Sequence, residues 1–575
     1  MSQIDWIVLA LTLVSIVLYG VWKSRGTNNL DGYLLADKKM PWYQVGFSVM
    51  ATQASAITFL SAPGQSYNDG LRFIQFYFGL PLAMIVLCIT FIPIFRKLNV
   101  FTAYEYLEKR FDNKTRSLTA FLFLLQRGLS TGITMYAPAI ILSTILHTDI
   151  NYMIVFTGFV VIGYTVYGGA KAVSHTQLLQ MSVIFAGLFL SAYLVLKMLP
   201  GDIGFIEALD IAGKMNKLNA IDTHFDLNNR YTIWSGIIGG FFLQLSYFGT
   251  DQSQVGRYLT GKSTSESRMG LVMNGLLKIP MQFMILMIGV LVFVFYQFHQ
   301  APIFFNKVEV DRIENSAYKE EFKKLNDDYE VVGIEKQYQL NKLVAALKEK
   351  NEAEISSTRT RLQEADQRSI EIRKKVPALI EKNNKKADSN DGNYIFLRFV
   401  TEQFPVGVIG LLIAIIFLAA MGSMASGLNS LASTTVVDFY KRIIKKDQSE
   451  THYLSASRWA TVAWGVFCIV VGIYASKLGN LIEAVNILGS LFYGTILGIF
   501  LVAFYMKKIN GNSVFLAAII VEIFIIFAWL TELTAFLWLN VIGCLLVMVL
   551  AYIIQFFGTT KKDASGVSVS APSQD

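Results

Sequence analysis

The chain has 575 residues, 53% of them hydrophobic and 13% aromatic, with 16% charged and a net charge of +8. Soluble domains carry about 25% charged residues, so an ordinary soluble protein is excluded. The positive excess fits the basic loops of a membrane protein better than a nucleic-acid partner.

Thirteen apolar runs approach the ~20 residues that a helix needs to cross ~30 Å of hydrocarbon. They are 5–22, 42–62, 73–95, 117–145, 151–168, 176–199, 232–250, 269–298, 398–434, 455–475, 480–505, 512–530 and 535–556, here spans one to thirteen. The first has Asp5 and no basic residue in its flank, and no small-residue cleavage site follows, so it reads as a span and not a signal peptide.

Span two carries Thr52, Gln53, Ser55, Thr58 and Ser61, then Pro63 and Gly64. Hydrocarbon penalises such groups, so they mark function. Small and polar residues permit unwinding, and freed backbone carbonyls suit a hard cation such as sodium. The alternative is a small-residue packing face, for which Gln53 is too large. Span seven ends Gln244-Leu245-Ser246-Tyr247-Phe248-Gly249-Thr250-Asp251-Gln252 and is expected to be broken near Gly249. Spans two and seven lie five apart, the pattern of a five-plus-five inverted repeat with two broken helices.

Between spans eight and nine lies an insert, 301–395. Its residues 307–391 hold 18 basic and 18 acidic side chains. Leu340, Leu343, Val344 and Leu347 recur at helical spacing. A charged helical hairpin with turns at Gly333 and Pro377 is expected, with a disordered loop as the alternative. Span nine carries Ser423, Ser426 and Ser430 one turn apart, a face of hydroxyls able to ligate a desolvated sodium ion. The tail 557–575 is expected to be disordered and cytoplasmic.

Short-loop basic residues set orientation. One side holds 23 Lys and Arg, the other five: Lys197, Lys214, Lys217, Arg230 and Lys477. The N-terminus is expected outside, the C-terminus inside, and the insert outside, because long loops are exempt from the charge rule. The domain plan is thus 1–300 (spans one to eight), 301–395 (extracytoplasmic insert), 396–556 (spans nine to thirteen) and 557–575 (tail). Cys88, Cys468 and Cys544 show neither disulfide-framework nor metal spacing.

The chain resembles the sodium:solute symporters. The resemblance rests on Ala51-Thr52-Gln53-Ala54-Ser55-Ala56-Ile57-Thr58-Phe59, Ala103 to Phe111, Tyr164-Thr165-Val166-Tyr167-Gly168-Gly169, Asp251-Gln252 with Arg257, and Leu428-Asn429-Ser430 followed by Asp438. It covers 1–300 and 396–556. It implies an all-α polytopic membrane protein of the leucine-transporter type, about 13 transmembrane helices with two inverted five-helix halves in spans two to eleven.

It implies a multi-pass plasma-membrane symporter, in the inner membrane if the source is a Gram-negative bacterium. Such a carrier imports a sugar, polyol, sialic acid or monocarboxylate by alternating access, with Na+ as the coupling ion. Its implied partners are the solute, sodium and the lipid bilayer, with no nucleic acid and no identified partner for the insert. The implied sodium ligands are the carbonyls of Ala51, Ala54 and Ala419 and the hydroxyl of Ser423. The implied solute residues are Gln53, Ser55, Thr58, Phe73, Gln75, Tyr77, Gln244, Tyr247, Lys278 and Asn486.

Two departures stand out. Gly422 replaces a usual serine, so a water or another oxygen must substitute. Gln177 replaces a usual aspartate, so negative charge near the ion is lost. A second sodium site would use Ser426, but its neighbour is Ala425. Lys278 reads equally as a solute ligand or a side chain snorkelling to the surface. Arg127 has no acidic neighbour on its span, and the sialic acid carriers place a carboxylate-binding arginine at the position of Ser130. A sensor that keeps the carrier fold without coupled uptake is the alternative. No catalytic constellation supports an enzyme.

Overall fold

The computed structural model describes all residues except 25–29, 99, 202, 386, 476–477 and 565–575. Among the described residues the fold is all-helical. Among the described residues, eleven helical stretches are long and apolar enough to cross a membrane. The runs at 42–62 and 232–250 are instead assembled from shorter pieces, which is why thirteen runs give eleven long stretches. Span two is Trp42–Gln53 followed by Ala56–Asp69. Span seven is a π-helical turn, Ser235–Gly239, running into Gly240–Thr250.

Spans five and six belong to one helical assignment, Ile150–Lys197, yet the chain reverses inside it. Tyr164 Oη and Thr176 Oγ1 stand 2.7 Å apart, whereas twelve residues of straight helix span about 18 Å. The expected connection 169–175 is therefore a tight helical turn and not an open loop. Span nine packs on span four, on the Ile150–Lys197 helix and against both halves of span two. The polar stretches of spans two and nine thus share one interior.

The insert is two long helices, Lys319–Glu349 and Glu352–Arg373, packed on each other. Lys350 turns the chain in the left-handed region (φ 54°), and the Asn351 side chain caps the second helix at Glu354 N. Leu340, Leu343 and Leu362 are fully buried and join the main core, while Val344 and Leu347 are half-buried. Gly333 is no turn: it lies inside the first helix, where a Cβ would meet Gln300 Oε1 at 2.0 Å. Pro377 opens a short helix, Val376–Asn383. Arg359 Nε and Gln363 Nε2 donate to the Lys214 carbonyl at 3.0 and 2.8 Å and fasten the hairpin to the body.

The last helix runs from Phe536 to Ala564, so the first part of the expected disordered tail is helical. The remainder of that tail, together with Arg25 and Lys477 of the charge count, lies outside the described residues.

Candidate functional site

The break in span two releases two carbonyls. In an unbroken helix the Ser55 amide would serve the Ala51 carbonyl and the Thr58 amide that of Ala54. Here Ser55 N donates to Gln53 O and Thr58 N to Ser55 O, both at 3.0 Å. Ala54 (ψ 81°) and Ser55 (ψ 172°) leave the helical region. Ala51 and Ala54 therefore present carbonyls without their helical donors, in the span that packs against span nine. There Ser423 Oγ donates to Ala419 O at 3.0 Å and Ala420 O at 3.1 Å, bringing two more expected oxygens together.

Two glutamines of span six adjoin this region. Gln177 Nε2 lies 3.2 Å from Thr52 Oγ1, 3.2 Å from Gly422 O and 3.1 Å from Ser426 Oγ. Its oxygen accepts from Ser48 Oγ at 2.5 Å. The neutral amide thus engages the oxygens of Ser426 and its neighbours by hydrogen bonds. A Cβ at Gly422 would meet Gln180 Oε1 at 2.6 Å, and that buried oxygen has no donor. Where a serine was missed in the sequence, an amide oxygen takes the space. Among the described residues no three His, Cys, Asp or Glu side chains converge on a metal position. The oxygens gathered here are neutral, which suits a monovalent ion better than the carboxylate clusters that calcium favours.

Beside the break lies a cavity. Span two supplies Gln53, Ser55 and Thr58, and the 3-10 segment after it supplies Phe76 and Tyr77. Gln126, Arg127 and Ser130 come from span four, Gln244 and Tyr247 from span seven, and Asn486 and Tyr493 from span eleven. Gln53 Nε2 and Gln244 Oε1 stand 3.5 Å apart. Gln53 Oε1, Gln244 Nε2, Gln126 Oε1 and Arg127 Nε are buried without partners. The wall therefore offers unspent acceptors and donors side by side.

Arg127 is paired after all. Its Nη2 bonds the Asp251 carboxylate, and Tyr493 Oη stands 2.9 Å from the same nitrogen and 2.8 Å from Asp251 Oδ2. Asp251 lies 124 residues away in sequence, where span seven breaks between Gly240–Thr250 and Gln252–Tyr258. The break is at Asp251, two residues beyond Gly249. Asp251 Oδ1 caps the second piece by accepting from Ser253 N at 2.8 Å.

Phe73, Gln75 and Lys278 stand behind the wall and not on it. Phe73 stacks on Phe76, with centroids 5.4 Å apart. Gln75 Nε2 donates to Tyr231 O at 3.0 Å, and its oxygen accepts from Asp222 N at 3.0 Å. Lys278 is wholly buried, so it does not snorkel. Its Nζ lies 5.5 Å from the Tyr77 ring centroid, a cation–π contact that places it behind Tyr77. Glu483, three residues before Asn486, accepts from Arg230 at 2.7 Å and Gln65 at 3.3 Å, tying span two to span eleven. Sequence reasoning passed over Gln126, Glu483 and Tyr493. Gln126 and Glu483 carried one usable signal, a polar side chain inside or at the edge of an apolar run.

The description "Sodium:solute symporter family" belongs to the family model that matches residues 33–329 and 375–521. A sodium/glucose cotransporter of Vibrio parahaemolyticus is 26% identical over 90% of this chain and 84% of its own. A sodium/sialic acid symporter of Aliivibrio fischeri is 26% identical over 96% and 93%. The solved structure of a Na+-coupled sialic acid symporter, substrate-bound and outward-open, superposes with a TM-score of 0.75 at 23% identity, covering 97% of this chain and 98% of that one.

Proposed function

The chain belongs to the sodium:solute symporter family, and from that membership we propose that it imports a small, neutral, hydroxyl-rich solute, a sugar or polyol, by alternating access. It is a multi-pass, sodium-coupled carrier and not an enzyme. The carbonyls of Ala51, Ala54 and Ala419 and the hydroxyl of Ser423 are the proposed sodium ligands, with Gln180 Oε1 standing in for the oxygen absent at Gly422. The N-terminus is placed outside and the C-terminus inside by loop charge.

The single observation that carries the solute class is the chemistry of the cavity wall. A hydroxyl both donates and accepts, and Gln53 Oε1 with Gln244 Nε2 offers one acceptor and one donor at adjacent positions. A solute carboxylate would need a free cation at the wall; the arginine there already serves Asp251, and the unpartnered Lys278 ammonium stands behind the Tyr77 ring and not on the wall. Gln126, Ser55, Thr58 and Asn486 supply further neutral contacts, and Tyr77 and Tyr247 give the ring faces that sugars pack against. Phe73, Gln75 and Lys278 support this wall from behind. The glucose-carrying relative fits this reading; a wall built for a carboxylate would fit the sialic acid carrier better.

The test is competition in proteoliposomes under a sodium gradient. A panel of hexoses, polyols, monocarboxylates and sialic acid is added against whichever labelled member is taken up. Competition by hexoses or polyols, and none by the acids, supports the assignment. Competition confined to the acids overturns the solute class while leaving the family membership intact.

A further inference from the structure

We propose that the pocket between the insert and the ends of spans two and eight is a second binding site for a neutral, hydroxyl-rich solute. The class is the one proposed for the central cavity, and the second site rests on that reading. Asn68 and Asp69 wall the pocket at the end of span two, and Phe293 and Gln297 at the end of span eight. The insert supplies Lys336, Asp366, Ser369 and Arg373. These four lie within 330–374, the stretch that the family match skips. The family fold alone does not build this wall.

One acceptor of this wall is buried without a donor: Gln297 Oε1, on a residue 5% exposed. The amide nitrogen of Gln297 is already spent on Phe293 O at 3.4 Å. A bare buried acceptor costs free energy until a donor reaches it. The charged groups, by contrast, answer one another. Lys336 pairs with Asp366 at 2.5 Å, and Arg373 pairs with Asp391. Lys217 Nζ donates to Asn68 O at 2.5 Å, one residue from Asp69, and lies 4.5 Å from the Phe293 ring centroid. The remaining cation of the lining, Lys374, is exposed to solvent.

These groups select a ligand that bears hydroxyls. An ionised carboxylate has no proton to give Gln297 Oε1, whereas a hydroxyl donates and accepts. The ion pairs cancel one another's charge at a distance, yet at close range their oxygens and N–H groups make charge-assisted bonds to hydroxyls. Buried Tyr67, Phe304 and Tyr329 supply ring surface for the C–H faces of a sugar. Tyr67 is held edge-on by Phe293 and Phe305, with centroids 5.6 and 5.8 Å away. The helix that ends at Asp69 begins at Ala56, and its Ile57 and Thr58 line the central cavity. The two sites thus stand at opposite ends of one helix.

The experiment is the rate at which a maleimide labels Ser369→Cys in the full-length protein in detergent, with the unsubstituted protein as background. D-glucose and D-sorbitol are expected to slow labelling several-fold, with a half-effect in the millimolar range of a weak site. Sodium lactate should not slow it. The slowing should persist when Gln53→Ala impairs the central cavity. Gln297→Leu should raise the half-effect concentration about tenfold. Asp327→Cys, on the exposed face of the hairpin, should show no slowing. If Ser369→Cys cannot be purified or labelled, Lys374→Cys takes its place. The proposal is overturned by no slowing with either solute, by equal slowing with lactate or at Asp327→Cys, by loss of slowing with Gln53→Ala, or by an unchanged half-effect in Gln297→Leu. Slowing by the sugars supports the second site even where only acids compete for uptake, a result that overturns the class of the central cavity alone.

Discussion

The solute cavity and the insert hairpin are both helical and both rich in polar side chains, yet they treat those side chains in opposite ways. In the cavity, Gln53, Gln126 and Gln244 are turned inward with atoms that meet no partner. In the hairpin, Lys336 pairs with Asp366 at 2.5 Å and Arg368 with Glu335 at 2.6 Å, the latter pair about half exposed. The hairpin's burial is supplied by Leu340, Leu343 and Leu362. An unmet buried polar group costs about 1–3 kcal/mol, whereas an exposed ion pair is worth about 0.2–1 kcal/mol. The cavity carries a standing cost that a solute can relieve. The hairpin's polar groups are mostly paired or exposed and carry less of it, Gln339 Oε1 being a buried, unmet exception.

The largest effect that can break this contrast is at Arg127. Removing its side chain leaves Asp251 buried and uncompensated, a penalty of about 3–5 kcal/mol. Arg127→Ala is expected to lose most folded protein, and Arg127→Ala with Asp251→Asn to recover much of it. Surface labelling and size-exclusion profiles read both; equal yields from the single and double variants would show that the pair is not what matters.

Next in size are the amides. Gln53→Ala or Gln244→Ala should lower uptake efficiency about 5–140-fold, as expected for a loss of about 1–3 kcal/mol, at unchanged surface level. Uptake kinetics corrected for surface protein check this, and an unchanged rate removes the residue from the solute site. Smallest is Arg368→Ala, expected to shift stability by less than about 1 kcal/mol and to leave uptake alone. A large loss of uptake there, measured in the same assay, would mean the hairpin takes part in transport.

The broken span two was legible because Thr52, Gln53, Ser55 and Thr58 cannot face lipid without cost, and no neighbour was needed to see it. Gln244, Tyr247 and Asn486 were named by the family resemblance, and they line the solute cavity. The resemblance also named Phe73, Gln75 and Lys278, which stand in the second row of the wall, because a motif match gives a position in the chain but not which side chain covers it. Lys278 is separated from the cavity by a single ring, that of Tyr77. Arg127 looked unpaired because its carboxylate comes from a helix break 124 residues onward, a contact that no local pattern carries. Gln180 was invisible for a related reason: it matters only because Gly422 leaves space opposite it. The helical turn joining spans five and six hid behind residues that read equally as a loop.

The central claim is sodium coupling through the oxygens at the break. It is tested most directly by the initial rate of solute uptake into proteoliposomes as external sodium is varied, for the wild type and Ser423→Ala at equal protein density. The account predicts saturable, sodium-dependent uptake in the wild type and a sodium half-saturation raised about tenfold in Ser423→Ala, the effect of one ligand worth about 1.4 kcal/mol. Uptake that ignores the sodium gradient, or identical sodium curves for the two proteins, would contradict it.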